Sequence, residues 1–169
     1  GSMKEMMPFP MPITLGGDFA GISAEDGREV YGSANIANGG SGSMAEIVAA
    51  NLGNLAAKPK NISFEEAASL PLAGCSALQA IDEHLDLEHG QKILIQGGAG
   101  GIGSLAIQLA KARGAYVATT ASGEGVEFVK KLGADEVIDY KTQKFEELCR
   151  EYDVVFDTVG GEITNISLV

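Results

Sequence analysis

The stretch Gly90–Lys111, GQKILIQGGAGGIGSLAIQLAK, constrains the fold more than any other part of the chain. An apolar run of strand length, Lys92–Gln96, leads into Gly97-Gly98-Ala99-Gly100-Gly101-Ile102-Gly103, and Ser104–Arg113 then carries apolar residues at helical spacing. The order is strand, glycine loop, helix, and within it Gly98, Gly100 and Gly103 satisfy G-x-G-x-x-G. The first glycine permits a tight turn, the second lets backbone N–H groups approach a pyrophosphate, and the third lets the helix pack close to the strand. Phosphates would sit at the helix N-terminus, where unpaired N–H groups and the dipole favour anions. Gly98, Ala99, Gly100, Gly101, Ile102 and Gly103 are therefore the first candidates for binding a cofactor. A glycine-rich turn by itself also arises for structural reasons, and its place between a strand and a helix is what gives this one weight.

The rest of the second half repeats the same alternation. Strands are expected at Lys92–Gln96, Tyr116–Thr120, Glu136–Ile138 and Asp153–Asp157, and helices at Gly101–Arg113, Gly125–Leu132 and Lys144–Glu151. Such alternation implies an α/β fold with a parallel, doubly wound sheet. Earlier in the chain, Met6–Pro12 should be extended, Ile13–Ile22 should turn into a short strand, and Arg28–Ser33, Met44–Ala50 and Asn54–Lys58 alternate well enough for strands. Asn38–Ser43 reads as a surface loop. Ser63, followed by Glu65 and Glu66, caps a short helix over Phe64–Leu70, and a second helix runs from about Leu72 to His84. These patterns divide the chain at about residue 72.

Composition narrows the partners. The net charge of −11 argues against nucleic acid, whose binding depends on Lys and Arg neutralising phosphates, and against an anionic membrane surface. No apolar run approaches the roughly 20 residues of a membrane span, and no signal-peptide pattern is evident. The two cysteines, Cys75 and Cys149, stand far apart, which suggests neither a disulfide framework nor a zinc site and points to a reducing, cytoplasmic home. A phosphate ligand on so acidic a chain must be held locally, by backbone N–H groups.

Gly90-Gln91, Leu94, Gly98-Ala99-Gly100-Gly101, Gly103, Gln108 and Lys111 together resemble the signature of the quinone oxidoreductase and zeta-crystallin branch of the medium-chain dehydrogenases/reductases. Leu70–Ala80 (LPLAGCSALQA) and Leu132–Tyr140 (LGADEVIDY) extend the resemblance over most of the chain. It implies a Rossmann nucleotide-binding domain over residues 73–169, incomplete at its C-terminal end, preceded over residues 1–72 by part of a chaperonin-10-like β-barrel catalytic domain. It also implies a small-molecule substrate and, for a protein of the family's full length, a homodimer.

The same resemblance bears on metals and cofactor. Where the zinc alcohol dehydrogenases have Gly-His-Glu, this chain reads Gly16-Gly17-Asp18, and a later cysteine ligand of those enzymes falls at Leu72. Neither Gly17 nor Leu72 can bind metal, and His84 and His89 lack cysteine companions, so a zinc-free protein is expected. Asp18, beside glycines, is expected to stabilise a turn, with an active-site acid as the other reading. Cys75, without a neighbouring His or Lys to activate it, reads as a small buried residue. An NAD site usually places a carboxylate about 20 residues past the glycines; here Thr119-Thr120-Ala121-Ser122 has none. NADP is favoured over NAD, with Ser122 placed to meet a 2′-phosphate, although Glu124 close behind would repel one. By resemblance Tyr140 lies near the adenosine, with a half-buried core position as the other reading, while Thr158, Val159 and Gly160 approach the nicotinamide and Ser76 faces the cofactor.

The implied activity is hydride transfer from NADPH to a quinone, enone or similar electron-poor carbonyl or alkene, by positioning and without a nameable acid or base. An enoyl-thioester reductase uses the same parts, and a nucleotide-binding protein without turnover is the reading from a different class. The chain is about half the family's usual length. Its shortened turn over 22–29 and its jump to strand-like Ile166–Val169 are what parts of a longer protein, run together, would give.

Overall fold

The computed structural model describes residues 12–34 and 41–167, and within these the chain forms two compact units, Gly1–Leu72 and Ala73–Val169. The residues 6–11 expected to be extended, and 38–40 of the expected loop, lie outside the described residues.

The first unit carries an antiparallel sheet of β1 (Asp18–Ile22), β2 (Glu29–Ser33) and β3 (Leu55–Ala57), in the order β1-β2-β3. Gly21 faces Val30 across the first pair and Tyr31 faces Ala56 across the second. The hairpin closes where the Ser23 N–H donates to the Arg28 carbonyl and the Gly27 N–H to the Ser23 carbonyl. Helix α1 (Phe64–Ala68) starts on a reciprocal cap: the Glu66 N–H donates to the Ser63 hydroxyl, and the Ser63 N–H to the Glu66 carboxylate at 2.8 Å. Helix α2 (Pro71–Gln79) begins where this unit ends.

One expected strand is absent. Residues 44–47 form bends and 48–50 carry no regular structure, with Met44 75% and Ile47 87% exposed. Among the described residues their alternation has no sheet to face; instead 42–44 donate backbone hydrogen bonds to Thr14, Gly16 and Leu15.

The second unit is built as the alternation requires. Strands β4 (Lys92–Gln96), β5 (Tyr116–Ala121), β6 (Glu136–Asp139) and β7 (Val154–Asp157) form a parallel sheet in the order β6-β5-β4-β7. Between and after them come α3 (Gly101–Ala112), α4 (Glu124–Lys131), α5 (Phe145–Leu148) and α6 (Glu162–Ser167). Alternate strand residues face opposite sides. Ile93, Ile95 and Val117 pack with Ile107 of α3 and Val129 of α4, whereas Leu94, Ala118 and Ile138 pack with Phe145 of α5 and Ile163 of α6. Helices therefore cover both faces, as a doubly wound sheet demands. After α2 the chain widens over Ala80–His84 into a turn closed by the Leu85 N–H on the Ala80 carbonyl, with Ile81 buried.

Two helices depart from expectation. The helix expected over 144–151 is the single turn α5, because Cys149 is extended and Glu151 takes a positive φ of 58°. The strand expected from Ile166 is instead the end of α6. The β-branched residues of 163–166 suggest a strand, but left-handed Gly160 and Gly161 turn the chain after β7, and Thr164 bonds back to Asp157. Tertiary contacts override propensity here. Residues 168 and 169 lie outside the description.

Candidate functional site

The carboxyl ends of β4, β5, β6 and β7 lie along one edge of the second unit's sheet, and the strand order reverses between β4 and β7, where ligands of open α/β sheets bind. β4 ends at fully buried Gln96, and Gly97 turns the chain at φ +73°. Two bonds to β5 fix this turn: the Gly97 N–H donates to the Thr120 hydroxyl at 2.9 Å and the Gly98 N–H to the Thr120 carbonyl at 3.1 Å. The Thr120 hydroxyl in turn donates to Gln96 Oε1 at 2.8 Å, and the Thr119 hydroxyl to the Ile95 carbonyl at 2.7 Å.

The glycines then separate into two kinds. A Cβ on Gly98 would strike the Thr119 hydroxyl and the end of Ile107, and one on Gly103 would strike the backbone of Gly97 and Gly98. These two let the helix close on the strand. Ala99, Gly100 and Gly101 are exposed, and a Cβ on Gly101 would meet nothing within 4 Å. Gly100 offers no side chain to cap α3, and the amides of Ala99, Gly101, Ile102 and Gly103 have no acceptor among the described residues. The loop is thus a cradle of unpaired donors at a helix N-terminus, with space left in front of it, and it fits a pyrophosphate.

On the β5 side, Ser122 is half-buried and its carbonyl accepts from the Gly125 N–H at 3.1 Å, opening α4. A Cβ on Gly125 would lie 3.0 Å from the Cβ of Ala99, so the first turn of α4 abuts the glycine loop. Tyr140, beyond β6, is 58% exposed, which rules out a core position for it. On the β7 side, the Thr158 hydroxyl donates to the Gln96 carbonyl at 2.7 Å, and Val159 and Gly160 are exposed. These bonds tie the loop after β4 to the end of β5, and the loop after β7 to the end of β4. Ser76, half-buried on α2, takes no part in them.

Several side chains sit otherwise than their sequence context suggests. Asp18 lies in β1 and supports no turn of its own; Oδ1 accepts from the Ser33 hydroxyl at 2.9 Å and Oδ2 from the Leu72 N–H at 2.8 Å, so it joins two strands to the start of α2. Cys75 is exposed, because it occupies the solvent side of α2 while Ala77 fills the core. His84 and His89 are exposed, and among the described residues no three His, Cys, Asp or Glu side chains stand close enough together to hold a metal.

Four positions of the site escape the motif. Gly97 precedes G-x-G-x-x-G, yet it carries the left-handed turn, and an extra glycine directly after the strand is its signal. Thr119 and Thr120 are a polar pair near the end of an apolar strand: Thr120 holds that turn, and Thr119 bonds the Ile95 carbonyl of β4. Asp157 is the fourth. Its Oδ1 accepts the N–H groups of Val159 and Gly160 at 2.8 and 3.0 Å, and its Oδ2 accepts the Thr164 hydroxyl. Burial alone would raise its pKa, but these three donors outweigh it and hold the carboxyl below its ordinary value.

A glycine cradle at the switch point of a parallel sheet defines a dinucleotide-type α/β fold. The family described as zinc-binding dehydrogenase matches residues 101–168. The NADPH-dependent alkenal/one oxidoreductase, chloroplastic, of Arabidopsis thaliana is 44% identical over 171 residues, covering 89% of this chain and 43% of the relative. The quinone oxidoreductase from Coxiella burnetii superposes with a TM-score of 0.88 at 37% identity, over 99% of this chain and 56% of the other. The quinone oxidoreductase from Thermus thermophilus does so at 0.75 and 29% identity, over 88% and 48%. Over these spans the chain is similar to proteins named quinone and alkenal oxidoreductases. It spans about half the length of the curated relatives it matches.

Proposed function

We propose that this protein is an NADPH-dependent oxidoreductase that delivers hydride to a quinone, an enone or a similar electron-poor carbonyl or alkene, without zinc. The observation that carries the reading is the glycine cradle: unpaired amides at Ala99, Gly101, Ile102 and Gly103, backed by Gly98 and Gly103, where no side chain fits. The names of the Arabidopsis relative, NADPH-dependent, and of the Thermus structure, solved in complex with NADPH, support the cofactor. Gly17 and Leu72 at the expected ligand positions support a zinc-free site. Two free cysteines suit a reducing compartment such as the cytoplasm.

In this reading the cradle amides hold the pyrophosphate and Ser122 meets the 2′-phosphate. Tyr140 covers the adenosine side, and Thr158, Val159 and Gly160 border the nicotinamide, with Ser76 facing the cofactor from α2. Bound NADPH supplies the hydride. The chain's own contribution is to fix the cofactor's position and orientation against the substrate.

The test is a pair of dissociation constants, for NADPH and NADH, followed by NADPH oxidation with 1,4-benzoquinone in the same sample. Preference for NADPH by about tenfold or more, the size of one good charge-assisted hydrogen bond, is expected together with turnover. Equal affinities would overturn the NADP assignment. Binding without turnover of quinone or enone would overturn the reductase.

A further inference from the structure

We infer that Asp157 is a positioning residue for the nicotinamide half of the cofactor site, a statement that rests on the function proposed above. The loop after β7 has two anchors. Thr158 is tied by its hydroxyl to the Gln96 carbonyl, and a Cβ on Gly97 would lie 2.9 Å from that hydroxyl and 3.0 Å from Cγ2 of Val159. These side chains therefore rest on the first residue of the glycine loop. The backbone behind them is held by Asp157: Oδ1 takes the amides of Val159 and Gly160, and Oδ2 takes the hydroxyl of Thr164 in α6.

Three donors converge on one acceptor-only group, and a carboxylate is the side chain with two oxygens free to accept them. The arrangement ties the loop to α6, which Ile163 seats on the far face of the sheet. Because β7 lies beside β4, on the opposite side from β5 and β6, this loop borders the half of a dinucleotide that the β5 side does not hold. Asp157 thus sets the nicotinamide border, while the cradle and Ser122 set the adenosine and phosphate border, and the two should respond separately to mutation.

The test compares two ligands that differ in the nicotinamide half: NADPH, and adenosine 2′,5′-bisphosphate, which carries only the adenosine end. Asp157→Ala should weaken NADPH about tenfold or more, as expected when a bound group loses its orientation, and leave the bisphosphate within about twofold. Asp157→Asn keeps one acceptor oxygen for the two amides and should recover most of the NADPH affinity. Thr164→Val, which removes only the link to α6, should give a smaller loss in the same direction and stands in if Asp157→Ala fails to fold. Equal losses for both ligands, or none for NADPH, would overturn the inference. Failure of the unsubstituted protein to bind the bisphosphate would instead overturn the nucleotide site itself.

Discussion

Residues 73–169 wrap a parallel sheet in side chains wholly out of water, among them Ile93, Ile95, Ile107, Val117 and Val129, whereas in residues 1–72 the buried apolar side chains described are Val30, Ala67 and Pro71. In the first unit, closure falls to polar groups. The Lys58 side chain is 5% exposed; its ammonium donates to the Pro59 and Ile62 carbonyls at 3.0 and 2.6 Å, lies 3.2 Å from the Glu29 carboxylate, and stands 5.1 Å from the centre of the Phe64 ring. Asp18 plays the corresponding part between β1, β2 and α2. Dispersed apolar contacts are each small, and losing one leaves many. A buried polar hub is different, since removing it strands every partner.

This contrast can be broken by substitution. The largest effect is expected in the second unit: Ile107→Ala should cost about 2–5 kcal/mol, read as a drop in denaturation midpoint, because the cavity lies in a core that cannot collapse around it. Lys58→Met should cost about 1–3 kcal/mol by leaving two carbonyls without a donor. Its loss should appear as early hydrogen exchange over β1–β3 while β4–β7 stay protected. If both variants unfold the whole chain in one step, the two units are not energetically separate.

A smaller effect is set by pH. Burial would raise the pKa of Asp135, but the Lys111 ammonium at 2.7 Å and the Val117 N–H outweigh it and hold the carboxyl below its ordinary value. Asp157 is lowered as well. A carboxyl lowered by folding stabilises fully above its unfolded pKa of about 3.9, and that contribution disappears as pH falls through the lower folded value. The second unit should therefore lose stability below about pH 4, and Asp135→Asn should flatten that limb of a melting-temperature profile. Smallest is Ser63→Ala, which removes the cap of α1 and should cost about 1 kcal/mol, confined to the first unit.

The two units also differ in how far the sequence discloses them. β4 matches its expected span because a continuous apolar run is bounded by Gly90-Gln91 on one side and glycines on the other. Long-period alternation likewise reveals the parallel sheet. The first unit offers short segments whose alternation is ambiguous: 44–50 has a strand's pattern but pairs in no sheet among the described residues, and the roles of Lys58 and Asp18 depend on carbonyls and amides brought near by the fold. In the site, G-x-G-x-x-G exposes the cradle at once. Asp157 stays hidden because its partners, two backbone amides and a hydroxyl seven residues on, carry no mark in the sequence.

The proposed function stands or falls on whether the unpaired amides of the glycine loop receive a dinucleotide pyrophosphate. An amide proton–nitrogen NMR titration of the protein with NADPH reads those amides one by one. Saturable shifts are expected at Ala99, Gly101, Ile102 and Gly103, with the β1–β3 amides unmoved. Saturable NADPH binding that leaves those four amides in place would contradict the cradle's role.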